Sequence, residues 1–243
     1  MSQYKNPPLI EAVCEFRFAQ STPWRDDLVD YLYPLIQDNF PIKDVRVLNN
    51  LQVHTTAKKA SMQMQQKPVH VFWNKDKTML IQAGFHYLSV HALKPYPSWK
   101  KFGPVINEVY NSLQKCVEIT KFERIGFVYI DKIEIPGKTI RLDEYFNLFP
   151  HIGPELPQNL SLFNMSCDIP YEGCRDICRV SLSSTIPEKE SDNALLLTTD
   201  YFLIDPSQVQ PEMVMGWISD AHDHIAELFE GIITKKLRDL FNE

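Results

Sequence analysis

Residues 9–18 alternate apolar and polar positions. Ile10, Ala12, Cys14, Phe16 and Phe18 share one side of an extended chain, and Glu11, Glu15 and Arg17 share the other. A period of two predicts a half-buried strand, entered through the extended Asn6-Pro7-Pro8. Thr22-Pro23 reads as an N-cap with proline at the first helical position. Leu28, Leu32, Leu35 and Ile36 then fall at helical spacing, with Pro34 as a kink and Asn39-Phe40-Pro41 as the stop. Strands are predicted at about 45–55, 69–74, 78–83 and 86–92, and the polar stretch Thr56 to Lys67 reads as a mobile loop. Ser98 opens a helix whose stripe is Trp99, Phe102, Ile106, Val109, Leu113 and Cys116.

The second half repeats that order. A long strand covers 124–135, a short helix or turn covers Leu142 to Phe149, and strands follow at about 161–168, 176–184 and 194–203. One long helix from Pro211 to Phe241 closes the chain, striped by Val214, Ile218, Ile225, Phe229, Ile232 and Leu237. The expected fold is α+β: two pseudo-repeats, residues 1–121 and 122–243, each strand, helix, antiparallel strands, helix. They share one curved antiparallel sheet with the helices on one face, as one structural unit.

Composition narrows the function. The chain has 243 residues, 44% hydrophobic and 23% charged, which fits one large globular domain or two small ones. Of its 8 glycines the nearest pair is Gly126 and Gly137. That spacing excludes a P-loop, a dinucleotide fingerprint and a kinase glycine loop, which need clustered glycines at phosphate. The 5 cysteines are scattered, the start Met1-Ser2-Gln3-Tyr4-Lys5 has no apolar signal segment, and no apolar run reaches the ~20 residues of a membrane span. The expectation is a soluble, reduced, cytoplasmic protein with no membrane contact and no cofactor.

Charge is uneven. Residues 1–121 carry 15 Lys+Arg against 10 Asp+Glu, a balance of +5, and residues 122–243 carry 10 against 21, a balance of −11. Between His54 and Lys101 the lysines, among them Lys58, Lys59, Lys75, Lys77, Lys100 and Lys101, interleave with Phe72, Trp73, Phe85, Tyr87, Tyr96 and Trp99. Basic groups with aromatics bind single-stranded nucleic acid, although this stretch holds no arginine. The same charge suits an acidic partner, such as the acidic half of another copy.

Few constellations carry chemistry. Cys167, Cys174 and Cys178 have a spacing that fits no common zinc site, so they read as core cysteines and no metal is expected. Glu11 and Glu15 pair beside Arg17 and read as a solvated, ion-paired face. His222-Asp223-His224 resembles the His-Asp pair of metal-dependent phosphohydrolases, yet His222 falls on the apolar stripe and reads rather as a core histidine bonded to a backbone carbonyl, with His224 solvated on the other side. Asp131 is a carboxylate on the apolar face of Ile125, Phe127, Tyr129, Ile133 and Ile135. It is either a salt-bridged or turn-capping structural acid, or a polar site at the sheet's edge. Arg124 alternates onto the opposite face, and a bulge at Gly126 would bring it round.

Three segments together resemble a sporadically distributed family of uncharacterised prokaryotic proteins of about this length: Asn6-Pro7-Pro8-Leu9-Ile10-Glu11-Ala12-Val13, Arg124-Ile125-Gly126-Phe127-Val128-Tyr129-Ile130-Asp131, and His222 through Phe229-Glu230-Gly231-Ile232-Ile233-Thr234. The resemblance spans nearly the whole chain and transfers no activity. It marks Arg124, Tyr129, Asp131, His222, Phe229 and Glu230, with Asn the commoner residue at the position of Asp131. Its patchy distribution implies a mobile accessory gene, as in phage-defence operons. The expected function is a non-enzymatic interaction or sensor subunit with a protein partner encoded nearby, or a homo-oligomer. The alternatives are a nucleic-acid or nucleotide binder using the basic half, and a hydrolase using Asp131 or His222.

Overall fold

A computed structural model describes residues 4–56, 59–157 and 162–243, with backbone alone at 47–56 and 59–67. The strands are β1 (Leu9–Phe18), β2 (Ile42–Thr56), β3 (Lys59–Trp73), β4 (Met79–Gly84), β5 (Tyr87–Leu93), β6 (Phe122–Ile135), β7 (Asn164–Tyr171), β8 (Asp176–Thr185) and β9 (Asn193–Leu203). The helices are α1 (Leu28–Ile36), α2 (Trp99–Cys116), α3 (Val214–Ile232) and α4 (Lys235–Phe241). The fold is α+β, with one antiparallel sheet in the order β2-β3-β4-β5-β1-β6-β9-β8-β7. No helix among the described residues is long and apolar enough to cross a membrane.

The chain forms two compact units. An N-terminal unit comprises 15–92 and 97–124, and a C-terminal unit comprises 1–14, 93–96 and 125–243. The chain therefore passes between units four times: inside β1, inside β5, after Tyr96 and inside β6.

In the N-terminal unit, β2 and β3 pair over their whole length, from Ile42↔Trp73 to Thr56↔Lys59. The stretch expected as a mobile loop is thus strand from Lys59 onward. Polar composition does not forbid a ladder, because backbone pairing needs no apolar side chain. Helix α1 begins at Leu28, not after Pro23: the Thr22 hydroxyl lies 3.5 Å from the Lys121 carbonyl, and Arg25 and Asp27 pair with each other ahead of the helix. Tyr33 of α1 stacks on Phe72 and Tyr110 of α2 stacks on Phe16, so both helices cover the Phe16 and Phe72 side of this unit's sheet.

In the C-terminal unit, β6, β9, β8 and β7 pair in sequence, and the buried side chains of Phe127, Ile133, Leu197, Tyr201, Ile218 and Ile225 form its core. The expected single closing helix is two. Ile233 leaves helical geometry to bridge Phe146, the Thr234 N–H donates to the Tyr145 carbonyl, and the Thr234 hydroxyl accepts from the Leu237 N–H to cap α4. Tertiary bonds here override a helical stripe that runs through the break.

Candidate functional site

Strand β6 lies between β1 and β9, so the polar positions at its centre are inside the sheet and not at its edge. Its ladder with β9 runs unbroken from Gly126↔Phe202 to Ile135↔Asn193. That continuity leaves no bulge at Gly126 on the β9 side, and residues 125–135 keep a strict buried-face alternation apart from the glycine itself. Tyr129 and Asp131 therefore share a face, and Thr199, opposite Tyr129, joins them.

On that face three residues form a chain. The Tyr129 hydroxyl is 3.0 Å from the Tyr96 hydroxyl and 2.7 Å from His222 Nδ1. The Tyr129 and His222 rings meet edge to face at 5.9 Å. His222 is the core histidine of the apolar stripe, 5% exposed, and burial pushes its pKa down to about 4. Burial raises Tyr96 to about 12 and Tyr129 well above the ordinary tyrosine value. The chain is uncharged at neutral pH.

Asp131 departs from both readings of its sequence position. It is 1% exposed, and neither carboxyl oxygen has a hydrogen-bond partner among the described residues. Among the described residues no salt bridge or turn cap accounts for it. The Thr199 hydroxyl, on the same face, is likewise buried and unpartnered. Desolvation alone pushes the Asp131 carboxyl up to about 8, so it is mostly protonated at pH 7.

The other marked residues stand apart. Arg124 donates its Nε–H to Glu15 Oε1 at 3.1 Å, and Arg17 holds the same oxygen at 2.9 Å. Arg124 thus serves a cluster in the N-terminal unit, separate from Tyr129 and Asp131. Glu230 accepts the Tyr4 hydroxyl at 2.7 and 2.9 Å and the Arg238 Nε–H at 3.0 Å, and it fastens the N-terminal segment beside α4. Asn6 N–H donates to the Phe241 carbonyl in the same latch. Phe229 is buried against Phe241.

Of the lysines marked for anion or nucleic-acid binding, Lys75 and Lys77 are exposed in the turn between β3 and β4, and Lys100 and Lys101 are exposed in the first turn of α2. Lys58 and the side chain of Lys59 lie outside the described residues. Cys178 is buried, and burial raises its thiol to about 12; Cys167 is half-buried and Cys174 is exposed in the β7–β8 connection. His224 is not solvated as expected. It packs on Tyr171 and Tyr201, with ring centroids at 4.9 and 5.3 Å.

Two further polar groups escaped the sequence reading. Asp176 is buried and fully engaged, accepting from Arg175, from the Tyr201 hydroxyl at 3.0 Å and from Trp217 Nε1 at 3.2 Å. On β5 the Tyr87 hydroxyl donates to Ser89 Oγ at 2.9 Å, and Ser89 Oγ lies 2.7 Å from His91 Nε2. The spacing Tyr87, Ser89, His91 in a strand was the available signal for the second group, because a period of two puts all three on one face. No protein-family model matches the chain, and no curated protein matches it in sequence.

Proposed function

We propose that the chain is a non-enzymatic interaction or sensor subunit of an accessory prokaryotic system, with phage defence as its setting and a protein encoded nearby as its partner. The observation that carries this reading is the closure of the candidate acid–base residues. Asp131 and His222 are buried and both are held neutral at pH 7 by desolvation. A hydrolase needs a base or metal ligand that meets water and substrate, and these two meet core side chains. Groups of this kind suit a body that must hold its shape while its surface engages a partner.

The reading takes the fold as two pseudo-repeats. Its support is the strand order, which runs outward from β1 as β5, β4, β3 and from β6 as β9, β8, β7. The nucleic-acid alternative keeps a place because the N-terminal unit gathers arginines and aromatics on one sheet face.

The test is affinity capture of the tagged chain from its native host at physiological salt, followed by mass spectrometry. The expected result is one protein recovered in stoichiometric amount. A lone monomer with nothing retained would overturn the partner. Metal-dependent phosphatase or nuclease turnover that disappears in His222→Asn would overturn the non-enzymatic assignment.

A further inference from the structure

The N-terminal unit's sheet has a second face, opposite the one that α1 and α2 cover, and residues far apart in sequence meet there. Val69, Val71, Leu80, Ser89 and His91 are buried on it, while Arg17 and Arg46 are exposed and Trp73 and Tyr87 half-buried. Cross-strand partners share a face. Arg46 stands opposite Val69 and Gly84 opposite Tyr87. Continuing the His70↔Ala83 register brings Val69 opposite Gly84, and a Cβ on Gly84 would come within 3.1 Å of Val69 Cγ2. The Phe18 N–H to His86 carbonyl bond fixes the β1–β5 register, which sets Arg17 opposite Tyr87 and Glu15 opposite Ser89. One row therefore reads Arg46, Val69, Gly84, Tyr87, Arg17. Beside it, Trp73 faces Leu80 and Leu80 faces His91.

The groups on this face are held in place. Ser89, itself anchored by His91, fixes the Tyr87 hydroxyl at 2.9 Å. Glu15 holds Arg17 and Arg124, and Asp44 lies 3.9 Å from Arg46, whose guanidinium sits 5.6 Å over the Trp73 ring. The side chains of Arg17 and Arg46 are 54% and 50% exposed, and Trp73 and Tyr87 are half-buried.

We infer that this face binds single-stranded nucleic acid, with bases stacking on Trp73 and Tyr87 and phosphates meeting Arg17 and Arg46. Arginine pairs with phosphate through a planar fork and stacks on aromatics. Half-buried aromatics on a sheet offer ring faces to unpaired bases, which a duplex keeps stacked within itself. Arg46 and Arg17 sit four strands apart, roughly 19 Å at ~4.8 Å per strand. That span takes a few nucleotides, at the short end of the ~4–16 typical of sheet-based binders. Ser89 and His91 are positioning residues for Tyr87. The inference names a ligand class for the non-enzymatic binding reading and rests on it.

The experiment is fluorescence anisotropy of the full chain with labelled oligo-dT and oligo-U at about 50 and about 200 mM salt. Saturable binding that weakens with salt is expected. The exposed-site double variant Arg17→Gln/Arg46→Gln should bind about tenfold more weakly or worse, with a salt slope reduced by about 1.4, since each phosphate contact to a single strand contributes ~0.7. Lys138→Gln/Lys189→Gln, at two exposed positions of the C-terminal unit, should bind as the parent does. No saturable binding at the lower salt, equal affinity for a duplex, or an unaffected double variant would overturn the inference. Recovery of a protein partner without oligonucleotide binding would remove this inference and leave the subunit reading standing. Cleavage of a bound oligonucleotide would overturn the non-enzymatic reading and this inference with it.

Discussion

A carboxyl closed into the core without a hydrogen-bond donor persists by keeping its proton, and Asp131 is in that position. Its pKa is near 3.8 in the unfolded chain and about 8 in the fold. Between those values the unfolded chain ionises and the folded one does not, so stability falls as pH rises, by about 1.4 kcal/mol per pH unit for one proton. His222 acts in the opposite direction. Its pKa is near 6.5 unfolded and about 4 folded, so its contribution is present above 6.5 and is lost as pH falls toward 4. From about 4 to 6.5 the two slopes cancel, and from 6.5 to 8 only the Asp131 slope remains. Melting curves across pH 4 to 9 should show Asp131→Asn gaining stability over the parent steadily up to about pH 8, with a parallel pair of curves as the result that sinks this account. The sequence made Asp131 and His222 visible as polar residues on apolar faces. It did not show that the acid has no partner among the described residues, since that depends on which side chains the neighbouring elements bring to it. For Arg124, alternation correctly set it apart from the Tyr129 face, and only the β1 neighbour explains where it goes.

At the scale of elements, the strands with one buried face were the most legible. β1 and β6 fall within two residues of their expected bounds, because a period of two is imposed by the core itself. Two misreadings share one cause, in that local pattern was read where long-range pairing decides. The segment from Lys59 to Lys67 is strand because β2 pairs with it, and the α3–α4 break exists because Phe146 and Tyr145 take the backbone groups of Ile233 and Thr234. The break yields a test. The Thr234 hydroxyl caps α4 by accepting from Leu237 N–H and donates to the Glu144 carbonyl at 2.7 Å. Thr234→Ala should lower stability by about 1 kcal/mol, as expected for loss of an N-cap, and Thr234→Ser should restore most of it. Chemical denaturation of both variants measures this; equal midpoints for Thr234→Ala and the parent would show that the cap contributes nothing. The arginine-bearing sheet face was illegible for the same reason as the break. Arg17, Arg46 and Tyr87 lie on three separate strands, and only the registers place them together.

For the whole molecule, the halves that charge suggests are not the units that the backbone builds. The acidic stretch 122–243 holds most of the C-terminal unit but lacks 1–14 and 93–96, which belong to it. Those short pieces supply specific bonds. The Pro8 carbonyl accepts from Lys132 N–H beside β6, Lys94 N–H donates to the Ile10 carbonyl, Asn6 N–H donates to the Phe241 carbonyl, Tyr4 holds Glu230, and Tyr96 ends the Tyr129–His222 chain. Cut off at residue 122, β6 would carry an unpaired edge along its former β1 side, which favours association with other chains. It would also lose one of the two partners of the buried Tyr129 hydroxyl, a cost of about 0.5–1.5 kcal/mol against a total stability of about 5–15 kcal/mol. The expressed fragment 122–243 should therefore aggregate or remain without fixed tertiary structure. Extending it with residues 1–14 through a flexible linker should recover part of the order, since most of those bonds return with that segment. Amide NMR dispersion and cooperativity of the thermal transition report the outcome. A well-dispersed spectrum and a sharp melt from 122–243 alone would mean that the long acidic stretch carries its own core, and that the two N-terminal pieces only lie upon it.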